Sequence, residues 1–161
     1  METAWESQLA GLLTELSATQ GELLDVLAQK RKFMMAADSS GMQSLEPRER
    51  EILERLQACQ QRRGELLERA KSEGLPSDSI RALATALPAP GRQELAKQVN
   101  DAANRSRLLQ HQSLTNWVLV QRTLLHLSQL LEILATGGRL RPTYGKCDSA
   151  CASGSFLDRA A

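Results

Sequence analysis

The side chains best suited to acid–base or metal chemistry are two histidines, His111 and His126, in a chain of 161 residues. An imidazole can bind a metal ion or transfer a proton near neutral pH. Both lie in one long helical pattern, fifteen positions apart, which places them on one helix face but about 22 Å from each other. They cannot share one metal ion, and we interpret both as residues of the helix surface or the edge of the core.

Cysteine thiols are the other candidate metal ligands. Cys147 and Cys151 are separated by three residues, whereas zinc sites usually combine four ligands in more closely spaced pairs. Cys59 lies on an apolar helical stripe, as a small core residue would. With three cysteines we expect reduced thiols rather than a disulfide framework, and we predict no metal site.

The sequence contains no catalytic constellation, so we predict a protein that is not an enzyme and that needs no cofactor. No serine or cysteine occupies a nucleophile elbow. Gly137-Gly138 follows a helix rather than preceding one, so it is not a phosphate-binding loop. The formal net charge of +1 indicates no nucleic-acid partner, which usually requires a clustered basic face.

Composition favours a single all-α domain. Aromatic residues make up only 3% of the chain, and Leu, Ala, Gln, Glu and Arg dominate. The first residues lack the basic and apolar regions of a signal peptide. We find no apolar segment approaching the 18 or so residues that span a bilayer, so we expect no membrane insertion and a cytoplasmic location.

Two long helices are predicted in the first half of the chain. The first runs from about Thr3 to Ala37, with apolar residues in alternating steps of four and three. Asp38 is expected to cap only one short turn. The second helix is expected to begin near Ser44 or Glu46, with Pro47 in its first turn, and to end at Gly74.

A short helix is predicted from about Asp78 to Ala86, followed by the longest one. Arg92 to Thr136 contains 45 residues without proline or glycine. Its apolar stripe has a stutter from Leu109 to Trp117, which shifts the stripe part-way along the helix. Before the stutter the stripe residues are small or polar, and after it they are large. We therefore expect the two halves to have different partners.

The fold class that follows is all-α. We predict an elongated antiparallel helical bundle or coiled coil, made of three long helices plus a short helix, with a disordered C-terminal tail. Residues 1–136 form the helical domain and residues 137–161 the flexible tail, which is small, polar and rich in glycine at its start.

The leucines after the stutter predict a surface for another protein. A helix of 45 residues is longer than its expected mates of about 35 and 27 residues, so part of it is left without an internal partner. Its apolar spacing fits a helix-in-groove or shared-bundle contact within residues 117–136. The predicted contact residues are Trp117, Val120, Leu124, Leu127, Leu130, Leu131 and Leu134.

These features together resemble the FlgN flagellar export chaperones. The chain has a leucine-rich first helix and a charged second helix. The last helical segment, the part of the long helix after the stutter, begins with Asn and bulky aliphatic residues. A Tyr-Gly pair follows it after a short linker. The residues that carry the resemblance are Lys30-Arg31-Lys32, Arg62-Arg63, Leu66-Leu67-Glu68-Arg69-Ala70, Asn116-Trp117-Val118-Leu119 and Tyr144-Gly145.

The resemblance implies a cytoplasmic chaperone of the flagellar type III export system. Its clients would be the two hook–filament junction proteins, whose helical terminal segment it would hold to prevent premature assembly. Client binding would map to about Trp117 to Leu134, and Tyr144 would dock at the cytoplasmic domain of the export gate. Lys146-Cys147-Asp148 stands where family tails often reach a further glycine, which departs from that pattern.

Two other classes stay open from the residues alone. A self-associating coiled-coil scaffold could use the same leucines, so a homodimer is an alternative to a monomer. An enzyme or metal protein would instead use His111, His126 or the tail cysteines. The sequence does not identify the preferred client, nor a role for the tail cysteines or for Phe156-Leu157.

Overall fold

The computed structural model describes residues 2–87 and 89–137, which form four helices. They are α1 (Glu2–Met35), α2 (Ser39–Ser72), α3 (Ile80–Ala86) and α4 (Ala89–Thr136). The predicted all-α class, with three long helices and a short one, is confirmed over these residues. The predicted tail, with Tyr144 and Phe156-Leu157, lies outside them from residue 138 onward.

The first two long helices are antiparallel. Lys30 Nζ of α1 contacts Glu49 Oε2 of α2 at 2.8 Å, and Glu15 Oε2 contacts Arg62 Nη1 at 3.1 Å. Residue numbers therefore rise along one helix as they fall along the other. Partly exposed ion pairs of this kind contribute little stability each, about 0–1 kcal/mol, and act mainly on register.

The beginning of α2 differs from the sequence-based expectation. Asp38 caps the long helix itself: its Oδ1 accepts the Gly41 N–H at 2.8 Å, so α2 begins at Ser39. Glycine is required at 41, because a Cβ there would come within 2.5 Å of the Phe33 ring. Pro47 consequently lies inside α2 rather than in its first turn. Pro47 has no N–H to donate within the helix, and Leu45 and Ile52 on either side of it are buried.

The end of α2 is as predicted. Gly74 has a φ of 72°, in the left-handed region, and its N–H donates to Lys71 O at 3.2 Å. Leu75 N–H reaches back to Ala70 O at 2.9 Å, which completes a Schellman-type ending. The short helix α3 begins two residues later than expected, because Ser79 Oγ accepts the Ala82 N–H at 3.1 Å.

The longest helix begins at Ala89, three residues before the expected start. Proline is tolerated in a first helical turn, where its absent N–H would have no partner in the helix. The Arg92 guanidinium donates twice to Leu87 O, at 2.8 and 3.1 Å, and so holds the α3–α4 corner. The predicted start at Arg92 relied only on where proline and glycine are absent. It therefore missed both the proline in the first turn and the Arg92 contact.

The hydrophobic core joins all four helices near this corner. Leu9 of α1 and Leu83 of α3 have no exposed surface, and Leu95 of α4 is buried beside them. Four of the six residues in the stripe predicted for α2 are buried, whereas Leu56 is half-buried and Arg63 is exposed. The buried members are Ile52, Cys59, Leu66 and Ala70.

Chain contacts divide the protein into two compact units. The first unit is Met1–Asn116, and the second is Trp117–Ala161. The division falls within α4, beside the last residue of the sequence stutter.

Candidate functional site

The described part of the second unit is one helical segment with its side chains in solvent. Every residue from Gln121 to Gly137 is exposed. Trp117 is 59% exposed and Leu134 is 68% exposed, which is unusual for residues of this size. A helix that is apolar around much of its girth normally has its surface buried by a partner.

The seven predicted contact residues lie on one face of this segment, defined here as the main face. At about 100° per residue they occupy an arc of roughly 140° around the helix axis. All seven are at least 38% exposed in the free chain. The structure thus places them together and in solvent; their role in binding stays a prediction. The main face consists of Trp117, Val120, Leu124, Leu127, Leu130, Leu131 and Leu134.

Within residues 117–137, three more large apolar residues are exposed outside the main face. Val118, Leu125 and Ile133 are 38%, 62% and 54% exposed. The sequence prediction missed them because it followed a single stripe of alternating four- and three-residue steps. The sequence did contain a signal for them. Residues 117–136 have only two charged side chains, Arg122 and Glu132, which indicates apolar residues on more than one side of the helix.

The hydropathy of α4 corrects one sequence-based statement. The helix contains an 18-residue window with a mean hydropathy of 1.2, which passes a length-and-composition test for a membrane span. The expectation that no apolar segment approaches this length holds only for uninterrupted runs. The window is exposed rather than buried, and one such helix is weak evidence for a membrane span; here Arg122, His126 and Glu132 interrupt the segment.

Within the first unit, polar side chains attach α4 to α1. Asn116 is buried, and its Nδ2 donates to Leu27 O at 3.0 Å. Gln20 Nε2 donates to Ala102 O at 3.2 Å and to Ser106 Oγ at 2.9 Å. Residue numbers rise together in these pairs, so α4 runs parallel to α1 here. Asn116, noted in the sequence only as part of a motif, thus has a structural role.

The first unit also contains an open cleft of about 390 Å³. Leu12, Leu16 and Cys59 lie on its apolar side, and Arg63 and Arg81 line it as well. Burial, followed by the negative charge of Glu15, raises the pKa of the Cys59 thiol above its ordinary value. A raised thiol pKa is typical of a structural cysteine rather than a nucleophile.

No metal-binding cluster occurs in residues 2–87 and 89–137, where no three His, Cys, Asp or Glu side chains are grouped for it. His111 and His126 are both exposed on α4, in agreement with a position on the helix surface. The cysteine pair Cys147 and Cys151 lies outside the described residues.

Comparison with protein families adds the decisive observation. The family model described as FlgN protein matches residues 1–148. The chain belongs to the FlgN family. The resemblance drawn from the sequence is therefore confirmed, and the match includes both the exposed segment of α4 and Tyr144. No curated protein and no solved structure matches the chain.

FlgN membership supports a general role as a flagellar export chaperone. FlgN proteins are soluble chaperones, and the family implies binding of flagellar hook-associated proteins. For this FlgN-family chain, the candidate surface for such binding is the main face of α4, since it combines large apolar side chains with full access from solvent.

Proposed function

We propose that this chain is a cytoplasmic export chaperone that binds the helical terminal segment of hook–filament junction proteins. It binds that segment through the main face of α4, prevents premature assembly, and delivers the client to the cytoplasmic domain of the flagellar export gate. Binding requires no chemical step, because affinity alone can keep the client's self-assembling segment covered.

The observation that carries this proposal is the exposure of the main face. Water in contact with apolar surface costs about 25 cal/mol per Å², so seven large exposed side chains on one arc favour association. An amphipathic helix in the client would supply a matching stripe. An interface of about 1,600 Å² in total commonly gives micromolar to nanomolar affinity, which suits a client that must later be released.

The test is copurification with a polypeptide that comprises the helical terminal segment of a hook–filament junction protein. Leu127→Asp and Leu131→Asp each place a charge in the centre of the main face and should abolish the complex. Gln121→Asp adds the same charge to the same helix without removing an apolar side chain, and should leave the complex intact. Circular dichroism of each free variant checks that helicity is kept.

The opposite results would contradict the proposal. Complexes that survive both leucine substitutions would show that the client binds elsewhere. Loss of the fold in Leu127→Asp would show that the leucine belongs to the protein's own core. A purified protein that only self-associates, and excludes the client segment, would favour the coiled-coil scaffold.

Delivery to the gate is assigned to Tyr144, which lies in the family-matched region. Tyr144→Ala should leave client binding unchanged and reduce secretion of the client by cells. Tyr144→Phe keeps the ring and separates its contribution from that of the hydroxyl group. Equal loss of client binding and secretion in Tyr144→Ala would contradict this division of roles.

A further inference from the structure

The three apolar residues outside the main face form a second apolar surface on the same segment. At about 100° per residue, Val118, Leu125 and Ile133 lie about 130–170° away from the centre of the main face. They are spaced by seven and eight residues, close to two helical turns. We call this set the second face.

One partner helix cannot cover both faces. Two packed helices contact each other along one side, with axes about 8–10 Å apart. A helix centred on the main face would therefore leave Leu125 and Ile133, each more than half exposed, in water. Scattered single apolar residues are common on protein surfaces, but these three are aligned along one side of an already apolar helix.

The polar residues between them indicate the chemistry of a second contact. Arg122, Gln129 and Glu132 fall within the same side of the helix as Val118, Leu125 and Ile133. Arg122 and Glu132 are ten residues apart, or about 15 Å along the axis. A second helix with apolar residues at its centre, a carboxylate opposite Arg122 and a basic group opposite Glu132 would match this side.

We infer that the client meets residues 117–136 with two amphipathic helices of one chain, a strongly apolar helix on the main face and a more polar helix on the second face. This inference rests on the proposed function and specifies its partner. Two helices joined by a turn would lie on either side of α4 and complete a local three-helix bundle. Arg122 and Glu132, which lie on the same side of the helix as the second face, would then determine the direction of the second helix.

The experiment measures the affinity of the client's helical terminal segment by isothermal titration calorimetry. Leu125→Asp and Ile133→Asp should each weaken binding about tenfold or more, as expected for loss of a buried leucine-sized contact. Leu125→Ala should weaken it less, and Gln121→Asp should bind as the unmodified chain does. Light scattering should give a complex of one chain with one client.

Fluorescence of Trp117 distinguishes the two faces, because this residue lies on the main face and is exposed in the free chain. At saturating client, Leu125→Asp should still show the blue shift that accompanies burial of the indole ring. Trp5→Phe provides the background in which Trp117 is the sole tryptophan. The weakened variants would thus still bind at the main face.

The outcomes separate this inference from the proposed function. If Leu127→Asp and Leu131→Asp abolish binding while Leu125→Asp and Ile133→Asp bind normally, the two-helix contact is wrong and the chaperone function stands. If the main-face variants also bind normally, the proposed function is wrong. A complex containing two chaperone chains would overturn the assignment of the second face to the client.

Discussion

Large apolar side chains are usually buried, but in α4 most of them lie in the exposed part after Asn116 and fewer lie in the packed part before Trp117. In residues 91–116, the buried positions are Leu95, Ala102 and Asn116, so only one of the three is a large apolar residue. In residues 117–136, many large aliphatic side chains are present and none is buried. One continuous helix thus has a modest interior contact in its first part and a strongly apolar exposed surface in its second.

The difference shows how each part obtains its specificity. In the first part, Asn116 and Ser106 contact defined atoms of α1, and such hydrogen bonds require one register. In the second part, leucines offer non-directional contact that tolerates more than one client sequence. The proposed chaperone function, with two related clients, would benefit from a fixed support and an adaptable binding surface.

The largest expected difference between the two parts of the protein is in stability. Leu9→Ala removes a fully buried side chain of the first unit and should lower the free energy of unfolding by about 2–5 kcal/mol. Leu127→Ala, at a half-exposed position, should change it by less than about 0.5 kcal/mol. Urea unfolding followed by circular dichroism measures both. Similar losses in the two variants would mean that Leu127 is buried in solution.

A smaller effect is expected where the first part of α4 contacts α1. Asn116→Ala removes the hydrogen bond to Leu27 O and should cost about 1–2 kcal/mol of unfolding free energy. Asn104→Ala, at an exposed position of the same helix, is the matched control and should have almost no effect. An unchanged urea midpoint in Asn116→Ala would show that this contact contributes nothing to the attachment of α4.

The reactivity of Cys59 reports on the interior of the first unit alone. With Cys147 and Cys151 replaced by serine, Cys59 is the sole thiol, and it is buried with a raised pKa. Its alkylation by iodoacetamide at pH 8 should be at least roughly tenfold slower in the native protein than in urea. Leu127→Asp should leave that rate unchanged, whereas Leu9→Ala should increase it. A faster rate in Leu127→Asp would mean that the second unit supports the first unit's core.

The smallest effect concerns the hydrogen bond between Trp5, a buried core residue, and the exposed Glu73 in the first unit. The Trp5 indole N–H donates to Glu73 Oε2 at 2.9 Å, and Arg69 Nε donates to Oε1 at 2.9 Å. These bonds favour the carboxylate and lower the pKa of Glu73 below its ordinary value of 4.5. The stabilisation is therefore complete above pH 4.5 and is lost as the pH falls through the lower, folded-state pKa.

Trp5→Phe should raise the pKa of Glu73 toward its ordinary value, as measured by carbon NMR of the side-chain carboxyl group during an acid titration. Arg69→Gln should also raise it, because Arg69 lowers this pKa both through its hydrogen bond and through its charge. The main face carries no such coupling, so client binding by Trp5→Phe should be unchanged. A Glu73 pKa that stays low in Trp5→Phe would contradict the indole contact.

Periodicity alone was sufficient to predict the helices and their buried stripes. Leu9 and Leu12 in α1, and Ile52 and Cys59 in α2, recur at helical spacing and are buried. Gly74 marked the end of α2 because a left-handed residue there is easiest for glycine. These features depend on local residue types, which a sequence displays directly.

The misplaced helix starts depended on specific side-chain contacts a few residues to either side of each boundary, which hydrophobic periodicity does not register. The capping of α2 by Asp38 requires Gly41 to fit against the Phe33 ring, and the early start of α4 is held by Arg92 and Leu87 O. The residues of the main face were predictable, because the spacing of apolar residues along a helix identifies those that share one face. Its exposure was not predictable from period, because a stripe of leucines looks the same whichever chain covers it. The second face was missed because Leu125 and Ile133 lie off the stripe.

The short turn between α1 and α2 bears on the order in which the protein folds. Ala36 to Asp38 connect two helices whose contacts begin only 19 residues apart, at Lys30 and Glu49. Closing such a short loop is fast, whereas α4 reaches α1 across a separation of 82 residues or more, as in the Gln20–Ala102 contact. We therefore expect the α1–α2 hairpin to form first during synthesis and to provide the Gln20 amide and the Leu27 carbonyl with which α4 makes hydrogen bonds. The exposed leucines emerge last of the four helices, after the hairpin has buried its own leucines, and so have fewer chances to pair with the wrong helix.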